Sequence, residues 1–121
     1  MRRDARSRHA IRTDVAAVLR RLAEQVGPIG VVALVFGADG ETIDLCITDD
    51  DDALEERCRL LLELYAGDAD AVVFATMRTG DVTPAPGERS RFARLRDHGA
   101  VVGLPVLDWL VVSDDVIASM A

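Results

Sequence analysis

The sequence contains no lysine: all fourteen of its basic residues are arginine. We read that as coding bias and draw no function from it. Cysteine is nearly as scarce. Cys46 and Cys58 stand alone, twelve positions apart, a spacing that matches neither a zinc ribbon nor a Cys-x-x-Cys redox pair. They are expected to be small buried hydrophobes in a reducing compartment. The longest apolar runs, Ile29 to Phe36 and Val101 to Leu107, fall far short of the ~18 residues that a membrane span requires. No unbroken apolar core or small-residue cleavage site follows the Arg-rich start, so the expectation is a cytoplasmic chain with no secretory signal.

Half of the 121 residues are hydrophobic and 29% are charged, which excludes a disordered polar tract and suits one globular domain. The net charge of −7 is unevenly spread. Residues 1–12 hold Arg2, Arg3, Arg6, Arg8 and Arg12 against Asp4 alone. That basic arm, expected to be flexible, precedes a strongly acidic domain over residues 13–121. So acidic a body repels phosphate over most of its surface, which leaves the arm as the place for contact with phosphate or an acidic partner.

Hydrophobic spacing predicts a helix through Val15, Val18, Leu19, Leu22 and Val26, capped at Thr13 or Asp14 and ended by Gly27-Pro28. Ile29 to Phe36 reads as a buried strand. The turn signal Ala38-Asp39-Gly40 joins it to an alternating strand over Glu41 to Thr48. A second helix buries Leu54, Cys58, Leu61, Leu62 and Tyr65 and stops at Gly67. Asp70 to Met77 is another buried strand. A loop rich in Gly, Thr and Pro leads from it to a third helix from about Glu88. That helix buries Phe92, Leu95 and Val102, exposes Arg89, Arg91, Arg94 and Arg96, and ends near Gly103. Val106 to Val112 closes the pattern, with a short edge strand at Val116 to Met120. The order α-β-β-α-β-α-β predicts an α/β fold, a single mixed sheet with packed helices.

Four consecutive aspartates, Asp49 to Asp52, invite a calcium or magnesium reading. They lack the alternate ligand spacing and glycine turn of an oxygen-ligand loop. Their expected role is to cap the second helix and complement its positive end. His98, near the end of the third helix, is expected to complement the negative end of that helix. His9, in the arm, is expected to be solvated. Ser90 and Thr76 have no histidine partner in sequence, so no nucleophilic triad is proposed.

The second half of the chain resembles the RadC-like branch of the JAB/MPN metalloprotease family. There a strand ends in His-x-His-Pro-Ser-Gly-Asp, followed by Pro-x-Pro-Ser-x-x-Asp. After a helix comes a segment like Leu-Gly-Ile-x-Leu-Leu-Asp-His-Leu-Ile-Val. Here the corresponding stretches are Ala75 to Asp81, Val82 to Glu88, and Val102 to Val112. The likeness spans roughly residues 15 to 115, with motif residues confined to 79 to 112. It implies the JAB/MPN, cytidine-deaminase-like architecture.

The agreement lies in structural residues: Gly80-Asp81, Pro84 and the Gly103 to Leu110 block. The departures fall on chemistry. Ala75 and Met77 take the places of the paired zinc-binding histidines, Ala85 that of the motif serine, and Glu88 that of the metal-binding acid. Trp109 replaces a histidine. Asp44 is the nearest acid to the place of the catalytic glutamate. A hydrolytic zinc needs about three protein ligands and one open position before its water reaches a pKa of ~7. Ala75 offers no donor atom, and the Met77 thioether suits copper(I) better than zinc. The vestigial positions Ala75, Met77, Ala85 and Glu88 are therefore expected to hold no metal or other cofactor.

The resemblance thus implies a pseudoenzyme, a degenerate metallohydrolase acting as an interaction or scaffold module in a DNA-repair-related or protein-processing pathway. Because such families pair active and inactive copies, a homodimer or a protein partner is expected, with no membrane. Trp109 is expected either to fill the vacated pocket beside Met77 or to anchor an interface. Two alternatives stand beside this reading. One is a hydrolase rebuilt around Asp44, Asp81 and Glu88. The other is a nucleic-acid accessory protein using the arm and the arginines of the third helix.

Overall fold

The computed structural model describes residues 15, 17–19, 21–22, 30–113 and 116–121. The basic arm, His9, the expected cap at Thr13 or Asp14 and the Gly27-Pro28 stop lie outside the described residues. Helix α1 is represented by residues 15, 17–19 and 21–22. Then follow β1 (Gly30–Phe36), β2 (Thr42–Thr48), α2 (Leu54–Tyr65), β3 (Ala71–Met77), α3 (Pro86–Val102), β4 (Val106–Ser113) and β5 (Val116–Ser119). The predicted α/β class and element order hold.

The strands form one mixed sheet in the order β2-β1-β3-β4-β5. β1 is antiparallel to both β2 and β3, β3 and β4 are parallel, and β5 returns antiparallel to β4. Every residue of β1 and β3 is buried, as their nearly continuous apolar runs require of strands covered on both faces. β2 lies at an edge, and the alternating burial expected of it is absent: all seven residues are intermediate or exposed, Ile43 and Ile47 among the exposed ones.

Two core layers flank the sheet. On one face Val31, Ala33, Val35, Phe74, Trp109 and Val111 meet α2 and α3 through Leu54, Cys58, Leu62, Phe92 and Leu95. On the other, Val32, Leu34, Ala75, Met77, Leu110 and Val112 meet Val15 and Leu19 of α1. The phase of β4 shifts between these faces. A bulge opposite Val72/Val73 pairs Val72 with Val106 but Val73 with Asp108. The extra residue turns Trp109 toward the α2/α3 face, which it shares with Val106.

The α3–β4 junction is close-packed. α3 ends on Gly103 in the left-handed region, and Leu104 N–H donates to Gly99 O at 2.8 Å. A Cβ at Gly99 would lie 2.4 Å from the Leu104 carbonyl oxygen, so only glycine fits there without movement.

Candidate functional site

Of the residues singled out by sequence, Ala75, Met77, Asp81, Ala85 and Glu88 lie along the end of β3, the following loop and the start of α3, but they do not share one face. Alternation along β3 sends Ala75 and Met77 into the α1-side layer, while Thr76 between them faces the α2/α3 side. Ala75 is wholly buried and Met77 is 5% exposed, both among apolar neighbours. Arg78 continues the ladder, its N–H donating to Val112 O at 2.9 Å. Its guanidinium then reaches forward to the Glu88 carboxylate.

Glu88 is doubly engaged. Besides Arg78, it accepts the Ala85 N–H at 2.8 Å. This is the half of a capping box in which a residue in the first turn reaches back to the cap. Ala85 has the extended backbone of an N-cap (φ −71, ψ 156) but no side-chain acceptor to offer. Glu88 N–H is instead met by the Ala85 carbonyl at 3.0 Å. The Glu88 carboxylate therefore serves as helix cap and arginine partner.

Asp81 is exposed, and it accepts the Thr83 N–H at 2.8 Å. Thr83 holds its carboxyl below the usual range, with a smaller contribution from Arg78. Asp44 lies elsewhere. It pairs with Val35, which pairs with Val72, whereas the motif loop leaves β3 beyond Met77. Five residues at ~3.3 Å each put roughly 16 Å between those levels. Asp44, Asp81 and Glu88 do not converge, and no group of three or more His, Cys, Asp or Glu among the described residues is placed to hold a metal. The donor set does not fit a hydrolytic zinc: one position lacks a donor atom, one supplies a thioether, and the acid is taken by Arg78.

Trp109 is wholly buried, so it is not an exposed interface anchor. Nor does it fill a pocket beside Met77, because the β4 bulge places the two on opposite faces. Its indole N–H donates to Thr76 Oγ1 at 2.8 Å, and its ring lies 4.9 Å from Phe74 at 31°. Arg91 covers the ring with its guanidinium carbon 4.7 Å from the centroid, a cation–π contact in a water-poor place. Nε and Nη2 of Arg91 are buried without hydrogen-bond partners.

Of the four arginines of α3 expected to be exposed, Arg89, Arg94 and Arg96 are exposed and Arg91 is not. Arg91 is half-buried and 3.7 Å from Asp50, Arg94 grips Glu55 through two hydrogen bonds, and Arg96 stacks on Phe92 at 5.2 Å. Arg91 alone is withdrawn from the surface, while Arg94 and Arg96 stay exposed with partners inside the fold.

The aspartate run also departs from expectation. The N-cap of α2 is Ala53, with no side-chain cap. Asp51 instead accepts the Ala53 N–H at 3.0 Å and pairs with Arg57 at 2.7 Å. Arg57 also donates to Thr48 Oγ1 and to the Asp49 carbonyl, both at 2.7 Å. The run thus fastens the β2–α2 connection through arginine. His98 faces Glu63 of α2 at 3.6 Å, while Gly103 closes the helix end where a histidine cap was expected.

Both cysteines are free. Burial pushes the Cys58 thiol up to about 12. Burial and then the nearby Asp44 charge raise that of Cys46. They line one cavity from opposite sides, Cys46 on β2 and Cys58 on α2. Neither that cavity nor the Arg78–Glu88 pair was anticipated. An arginine directly after a strand, facing an acid in the next helix's first turn, was the available signal for the pair. Among the described residues no helix is long and apolar enough to cross a membrane. Compared with known proteins, the chain matches no family model and no curated protein.

Proposed function

We propose that this chain is a non-catalytic protein of JAB/MPN-like architecture that works by binding another protein, in the first instance a second copy of itself. One observation carries the reading. Glu88, at the position of the metal-binding acid, is held by Arg78 and by the Ala85 N–H. A fixed guanidinium supplies the positive charge that a dication would bring, without any Lewis acid to activate water. The helix–hairpin–helix–strand–helix–strand order supports the architecture, and two free thiols suit a reducing, cytoplasmic setting.

The edge strand β2 supports self-association. It has seven residues, no proline and one charge, and Ile43 and Ile47 are 44% and 50% exposed. Such an edge is a template for pairing with another chain. Light scattering at 10–100 μM should give the mass of two chains, and Ile47→Lys should return it to one. Elemental analysis after dialysis should find zinc well below one per chain. A single-chain mass throughout, or stoichiometric zinc lost in Glu88→Ala together with peptidase activity, would overturn the proposal.

A further inference from the structure

The cavity between the β1–β2 hairpin and α2 has a volume of about 250 Å³. Its floor is Val31, Ala33 and Phe74, and its roof is Cys58 and Leu61. Cys46 closes one side. Ile47, Thr48 and Arg57 stand at the β2 edge, where Ile47 is 50% exposed and the Arg57 side chain 36%. An engineered apolar cavity of ~150 Å³ stays dry and takes up benzene. This one has room for a substituted ring.

We propose that this cavity binds a small uncharged molecule, with an apolar body over Phe74 and a single hydrogen-bond acceptor turned toward Arg57. Apolar walls with few polar groups at one end are the usual make-up of small-ligand sites. The polar end is well defined. Arg57 Nε is spent on Thr48, and Nη2 on the Asp49 carbonyl and the Asp51 carboxylate. Nη1 remains without an acceptor among the described residues. It projects from a side chain that three hydrogen bonds hold in place.

Charge selects the class of ligand. The Asp51 carboxylate pairs with Arg57, which also donates to the Asp49 backbone carbonyl, and the Asp44 carboxylate lies close enough to Cys46 to act on its thiol. An anion entering there meets those carboxylates, and a cation meets the guanidinium. Both thiols are held in their neutral form at pH 7, so the inner walls carry no charge to attract an ion. The inference does not use the Arg78–Glu88 pair, but it shares β2 and Ile47 with the proposed self-association, so the titration is read on Ala33→Leu and Cys46→Phe rather than on Ile47.

Benzamide and benzoate test it, because they share a shape and differ in charge. In amide NMR titrations of the full chain, benzamide at millimolar concentration should saturate shifts confined to β1, β2 and α2. Benzoate should bind at least tenfold more weakly. Ala33→Leu fills the floor and Cys46→Phe the side, and each should abolish the shifts. If one variant does not fold, the other carries the comparison; if neither folds, the wild-type benzamide/benzoate ratio decides. Absence of saturable binding, equal affinity for the two probes, or full binding by a folded filled variant would overturn the proposal.

Discussion

Thr76 shows how much rests on one hydroxyl. It is 2% exposed and accepts the indole N–H of a wholly buried Trp109. Thr76→Val keeps the shape and orphans that N–H, at a cost of about 1–3 kcal/mol. Urea unfolding should register the loss, and tryptophan emission should shift in the native state. Cys58 makes a separate prediction about pH. Its thiol titrates near 12 in the fold against an ordinary 9.0. A group raised on folding gives stability that is complete below its unfolded pKa and lost as pH climbs toward the folded one. Unfolding free energy should therefore decline from about pH 9 upward, and Cys58→Val, which cannot ionise, should flatten that limb. Thermal melts across pH 8–11 would measure both. The sequence showed that Cys58 was a buried hydrophobe. It did not show the neighbour across the cavity, because helical spacing fixes a face and not its facing residue.

At the level of elements, the readings that survived were those where one periodicity governed a whole segment. The apolar runs of β1 and β3 marked central strands, and Leu54, Cys58 and Leu62 marked the inner face of α2. The failures trace to places where the period breaks. Counting by twos from Val106 puts Asp108 and Leu110 on its face. The bulge inserts one residue and brings Trp109 there instead, since a one-residue slip exchanges the faces of a strand. The Arg78–Glu88 pair was hidden for a related reason: the eight-residue loop 78–85 must turn back before the two meet. Gly99 belongs to this scale too. Its missing side chain lets α3 and β4 approach, and Gly99→Ala puts a methyl 2.4 Å from a carbonyl oxygen. The variant should lose about 1–3 kcal/mol, the usual penalty for overpacking. A larger drop in the melting temperature than for Ala100→Ser, on the exposed side of the same helix, would check it.

For the whole molecule, alternation of elements foretold one sheet with helices over it, yet it could not foretell the order of strands. Neighbouring β1 and β3 requires the chain to cross over the hairpin through α2, and nothing local in β3 encodes that choice. The net charge of −7 disfavours contact with a polyphosphate over most of the surface. The seat of β3 has a last consequence. Flanked by β1 and β4 and covered on both faces, it cannot detach without parting two ladders and both core layers at once. In deuterated water its amides should be the slowest to exchange and should report the global opening equilibrium. The rim amides of β2 and β5 should label through far cheaper local fluctuations, so the middle of the sheet acts as the molecule's clock.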